Sequence, residues 1–133
     1  MTLTLLNIAD MLADVLDFDD VYAGNINANL DRCIGVYNDK NSGKNTTICI
    51  GGKACTKTLE KQISILIHWT DNPTFAEEKT NEILDSITDI RNQTVGDFIL
   101  QYFKCNAPVP IGRDEKGIYE YVIESKIYYE RKN

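Results

Sequence analysis

The stretch Gln62-Ile63-Ser64-Ile65-Leu66-Ile67-His68-Trp69, followed by Thr70-Asp71-Asn72-Pro73, decides how the rest of the chain is arranged. Successive side chains of an extended chain point to opposite sides. Ile63, Ile65, Ile67 and Trp69 therefore share one face, and Ser64, Leu66 and His68 the other. β-Branched residues fill the first face and even the second offers Leu66, which predicts a central strand. Turn formers then end it. Pro73 suits the first position of a helix, where its missing N–H is no loss; Thr74 and Glu77 have capping-box spacing and would start the helix one residue later. Ala76, Thr80, Ile83, Leu84, Ile87 and Ile90 recur at helical spacing as far as about Arg91. Burial of the four large aliphatics contributes roughly 1.5–3 kcal/mol each before chain entropy is subtracted.

On the N-terminal side, Leu5, Ile8, Ala9, Leu12, Val15 and Leu16 predict a helix over about Thr4–Asp17, with Thr2 or Thr4 as its cap. The carboxylates of Asp17, Asp19 and Asp20 oppose the dipole at its end, so a frayed end or a direct turn is expected. Val21–Gly24 reads as a short strand and Asn25–Asp31 as a loop. Arg32–Tyr37 and Thr46–Ile50 read as two arms of a hairpin around Asn38–Asn45, a long, exposed tip rich in turn formers. Gly51-Gly52 ends the second arm, and Lys53–Lys61 is expected to be an irregular connection.

On the C-terminal side, Asn92–Gly96 reads as a break. Asp97–Cys105 reads as a strand with Phe98, Leu100 and Tyr102 on one side and Ile99, Phe103 and Cys105 on the other. Pro108 and Pro110 bar a central strand between them and the Gly112–Gly117 turn. Ile118–Glu130 is the longest strand expected: Tyr119, Tyr121, Ile123, Ile127 and Tyr129 alternate with Glu120, Val122, Glu124, Lys126 and Tyr128. One side is apolar and the other mainly charged. This order of elements predicts a single α+β domain over 1–133, a mainly antiparallel twisted sheet of five to six strands with two helices packed on one face.

The chain's 133 residues are enough to bury one core. A net charge of −6 argues against gripping nucleic acid, which takes a basic surface. The first apolar run lacks a basic leader and is broken by Asn7, Asp10 and Asp14, and no stretch is apolar enough to span a membrane. The four cysteines, Cys33, Cys49, Cys55 and Cys105, show no C-x-x-C spacing and read as reduced, mostly buried thiols.

No constellation for catalysis stands out. His68 is the single histidine, so a Cys–His or Ser–His dyad would have to use it, and its mid-strand position favours a structural or surface role. Zinc would need cysteines at ligand spacing. Asp39, Asn41 and Gly43 fail as a calcium loop because Ile50 stands where the closing glutamate belongs. Gly43-Lys44 lacks the leading glycine and the hydroxyl residue of a phosphate loop. Asp14, Asp17, Asp19 and Asp20 read as a solvated acidic surface rather than a cation cage. Glu120 and Glu124 lie about 13 Å apart along a strand, too far for paired-carboxylate work, and Glu130 lies farther along the same strand. Five of the seven tyrosines, including Tyr128 and Tyr129, fall in the last two strands, as sheet packing or as a subunit interface. Neither a cofactor nor a metal is expected.

The segments Cys33-Ile34-Gly35-Val36-Tyr37-Asn38, Ile48-Cys49-Ile50-Gly51-Gly52 and Ile63–Trp69, and the acid-rich helix that begins near Glu77, give the chain its resemblance. It resembles small minor capsid proteins of tailed bacteriophages related to the tail terminators. The resemblance implies an α+β subunit without catalytic residues that closes into a ring, a hexamer, at the head-proximal end of the tail. There it would end tube growth and join tail to head, touching tail-tube and head–tail connector proteins while DNA passes through. It also implies a place in the virion, assembled in the bacterial host cytoplasm. Closed rings need two different patches per subunit. Asn38, Asp39, Lys40, Asn41, Ser42, Gly43 and Lys44, with Pro108 and Pro110, are natural contact arms, and Tyr128 and Tyr129 are further interface candidates. Asp17, Asp19, Asp20, Glu120 and Glu124 would supply an acidic channel. The alternatives are a small monomeric ligand-binding module and a small enzyme using His68.

Overall fold

The computed structural model describes residues 2–26, 30–39 and 58–132. In chain order it contains α1 (Leu5–Leu16), β1 (Val21–Ala23), β2 (Cys33–Asn38), β3 (Leu59–Thr70), α2 (Pro73–Thr88), β4 (Gln93–Val95), β5 (Phe98–Cys105), β6 (Val109–Arg113) and β7 (Tyr119–Arg131). The strands make one sheet of order β1-β2-β3-β7-β5-β4, with β6 also paired to β7. The architecture is α+β and mostly antiparallel, with seven strands among the described residues where five to six were expected. The additions are short. β4 lies in the segment read as a break, between Asn92 and Gly96, both at positive φ (51° and 57°). β6 is fully exposed and pairs only with β7, the edge position to which Pro110 confines it.

β3 extends beyond Gln62–Trp69 at its N-terminal end, because Leu59-Glu60-Lys61 pair with Tyr129-Tyr128-Ile127 instead of forming an irregular connection. Its other neighbour is β2, antiparallel, so the first hairpin arm finds its partner in β3. The proposed second arm, Thr46–Ile50, lies outside the described residues, as do Gly51-Gly52, Cys49 and Cys55. β1 runs parallel to β2.

Both helices begin on the side chains their sequences offer. Thr4 caps α1 through a reciprocal pair with Asn7, the side chain of each accepting from the other's backbone N–H at 3.1 Å. Asp17 stops α1 in the left-handed region at φ 52°, its N–H turned back to the carbonyls of Ala13 and Asp14, so the helix ends sharply and does not fray. In α2, Pro73 is the first helical residue and Asn72 is the cap, accepting from Thr74 and Phe75. The Thr74/Glu77 capping box does not form, and α2 stops at Thr88, before Arg91.

Strand alternation explains the core. Ile63, Ile65 and Ile67 of β3, Ile34 and Val36 of β2, Ile123 and Ile127 of β7 and Leu100 and Phe103 of β5 join Ile8 and Leu12 of α1 and Ile83 and Ile87 of α2 in one buried cluster. The register shift between Leu100 and Tyr102 breaks the expected alternation of β5. The bulge at Gln101 lets Phe98, Leu100 and Phe103 all face inward and turns Tyr102 out, 41% exposed and stacked on Tyr128 at 4.7 Å. Gly35 has a packing reason too. A Cβ there would stand 2.6 Å from Ile26 and 2.7 Å from the Tyr37 ring, so a side chain would displace what covers β2.

Candidate functional site

A cross-strand row and two cavities carry polar chemistry among the described residues. The row runs across one end of the sheet, where Cys33 faces His68 and His68 faces Glu120 on the side opposite the isoleucines. His68 is buried, and its Nε2 lies 2.6 Å from Asp114 Oδ2. Its Nδ1 lies 3.8 Å from the Cys33 thiol. With Nε2–H donating to Asp114, Nδ1 is left to accept from the thiol. Asp114 Oδ1 also accepts from the N–H groups of Lys116 and Ile118, both at 2.9 Å, which closes the turn between β6 and β7. The His68 hydrogen bond is the largest effect on the Asp114 carboxyl; burial opposes it, the Ile118 and Lys116 N–H groups add to it, and the carboxyl is held below its usual value. Burial, with the nearby Cys33 and Glu120, pushes the Tyr37 phenol up.

Cysteine, histidine and aspartate in a row have the composition of a nucleophilic triad. Their placement gives them a different job. Cys33 and His68 are 0% and 1% exposed, and neither lines either cavity. A nucleophile must meet a substrate atom, and this thiol lies beneath the sheet surface. The row ties a hairpin turn to one end of the central strand β3: Asp114 gives the buried imidazole its partner. Sequence reading placed His68 in a structural or surface role but missed Asp114. The aspartate that opens the Gly112–Gly117 turn was the only signal.

One cavity, about 230 Å³, is polar and lined by Asp39, Gln62, Lys104, Asn106, Glu124, Ser125 and Lys126. Lys104 and Lys126 stand opposite each other on β5 and β7, while Glu60 lies 3.9 Å from Lys126. The other cavity, about 210 Å³, lies where the end of α1, α2 and the ends of β2 and β3 meet. Phe18 and Trp69 form its aromatic wall at 4.8 Å. Arg32 and Lys79 stand over the Trp69 ring at 5.6 and 4.9 Å from its centroid.

Of the contact residues expected from sequence, Asn38 is exposed and Asp39 is buried, its N–H bonded to the Gln62 carbonyl. Lys40, Asn41, Ser42, Gly43 and Lys44 lie outside the described residues. Pro110 is exposed on β6 and Pro108 half-buried just before it. Tyr128 faces outward on Tyr102, whereas Tyr129 packs inward on Phe98, ring to ring at 5.4 Å. Of the expected channel acids, Asp20 and Glu120 come to one end of the sheet: the Asp20 carbonyl accepts from Ile34, and its side chain from the Tyr22 hydroxyl. Glu124 lies farther along β7, and Asp17 and Asp19 lie in the α1–β1 connection.

Among the described residues no group of His, Cys, Asp and Glu is arranged to hold a metal, and no helix is long and apolar enough to cross a membrane. Cys33 and Cys105 form no disulfide, and burial raises the Cys105 thiol against the opposing hydrogen bond of Ser125.

A sequence profile described as bacteriophage tail terminator protein matches residues 3–131, nearly the whole chain. The chain belongs to the bacteriophage tail terminator family. No curated protein matches it. Family membership makes the chain a component of the phage virion with a structural role in the tail, assembling with other tail or head proteins.

Proposed function

We propose that this tail terminator-family chain is a single-domain minor capsid subunit that closes into a hexameric ring at the head-proximal end of the tail. The ring ends tube growth, joins the tail to the head and lets DNA pass, and it is built in the host cytoplasm. The match over residues 3–131 carries this reading. The exposed edge strand β6, with Val109 and Ile111 53% and 55% exposed, supports it, since adjacent exposed aliphatics mark a surface that is covered in use. In this reading both helices cover one face of the sheet. Asn38, Asp39, Lys40, Asn41, Ser42, Gly43 and Lys44, with Pro108, Pro110, Tyr128 and Tyr129, contribute to contacts. Asp17, Asp19, Asp20, Glu120 and Glu124 keep the channel acidic, so that it does not hold phosphates.

The test is made in the phage. A stock in which the gene is silenced should accumulate tails of uncontrolled length without heads, and wild-type chain supplied in trans should restore normal tails. Headed particles with tails of normal length in the silenced stock would overturn the reading.

A further inference from the structure

Resting on that ring reading, we infer that the Phe18–Trp69 groove of one copy receives the β6 strand of the next. The groove has an apolar floor of Leu16, Ile34 and Ile83 and an aromatic wall, and its volume of about 210 Å³ suits aliphatic side chains. Its rim mixes charges, Arg32 and Lys79 standing with Asp17 and Glu82. Lys79 is held by Glu82 at 3.2 Å, but among the described residues no carboxylate lies within ion-pair range of the Arg32 guanidinium, which rests on Trp69. A tryptophan with an arginine on its face has the make-up of an interface anchor. The second patch is Pro108-Val109-Pro110-Ile111, an extended, proline-bearing segment of the kind that aromatic grooves recognise. Pro110 and the register shift before Gly112 spoil β6 as an edge for further strand pairing, so its exposed side chains, not its backbone, are what it offers. Glu115, exposed in the turn that follows, supplies the carboxylate that Arg32 lacks.

The two patches cannot meet within one molecule. β6 lies beyond β7, and the groove lies on the β2–β3 side of it. They are also different patches. The contact is therefore head-to-tail, the type that propagates round a ring.

The experiment is sedimentation velocity on the full chain at several concentrations. Ile111→Lys puts an ammonium group where the groove offers an apolar floor, and because Ile111 is more than half exposed the fold does not depend on it. Either Ile111→Lys or Arg32→Glu should weaken association about thirtyfold or more. Glu115→Arg should weaken it too, and the double variant Arg32→Glu/Glu115→Arg should recover most of the loss. Ile111→Lys mixed with Arg32→Glu should stop at a one-to-one dimer, because only one working contact can form. Variants that assemble like the wild type would overturn this contact while leaving the tail-length result, and so the ring reading, standing. A wild-type chain that stays monomeric at every concentration would overturn the contact.

Discussion

Replacing Asp114 by alanine should lower the unfolding free energy by about 3 kcal/mol, measured by urea denaturation at neutral pH. The substitution removes the partner of a fully buried imidazole and the acceptor of two turn amides at once. A buried polar group left unsatisfied costs about 1–3 kcal/mol, and a lost cap about another 1. The pH dependence has a fixed sign. In the folded chain the Asp114 carboxyl is held below its usual value, so the stabilisation is complete above the unfolded-state value of about 3.9 and is lost as pH falls through the folded value. The difference between wild type and Asp114→Ala should therefore shrink as the solution is made more acidic than about pH 4. A neutral-pH loss of less than about 0.5 kcal/mol would show that the row does not tie the turn to the sheet.

Ile65→Ala should be at least as damaging, at about 3–4 kcal/mol. Ile65 is 0% exposed, at the middle of the central strand, with Val36 on one side and Ile123 on the other. Neighbours fixed by two ladders cannot collapse into the space it leaves. Leu66→Ala, on the opposite face and only partly buried, should cost clearly less. Equal losses at the two positions would contradict the assignment of faces.

These two residues also mark what could be read without coordinates. Ile65 was plain, because period-two alternation over Ile63–Trp69 names its own inward face, and β7 repeats the pattern. The capping of α1 and the start of α2 at Pro73 were equally local. Asp114 was not, because nothing near it in sequence points to an imidazole 46 residues away. Other features failed for physical reasons of their own. β4 and β6 are too short or too exposed to show hydrophobic periodicity. One bulged residue, Gln101, reverses the faces of β5, and alternation alone cannot locate a bulge. The parallel placement of β1 depends on a crossover that three residues cannot specify. The groove needed Phe18, Arg32, Trp69 and Lys79, each unremarkable alone, to be brought together from four separate parts of the chain.

The way β7 shares one flank between β5 and β6 bears on how the chain acquires its shape. β5, β6 and β7 are consecutive in sequence and closed by the short Asp114–Gly117 turn, so their mutual contacts demand little loop-closure entropy. The β3–β7 seam joins segments with α2, β4, β5 and β6 between them, and it comes at a much larger cost in chain freedom. The C-terminal hairpin is therefore the expected nucleus, with β3 recruited to a template already formed. In kinetic terms, substitutions in β7 near the turn should slow refolding, and those in β1 should chiefly hasten unfolding. The reverse pattern in a chevron series would place the nucleus elsewhere.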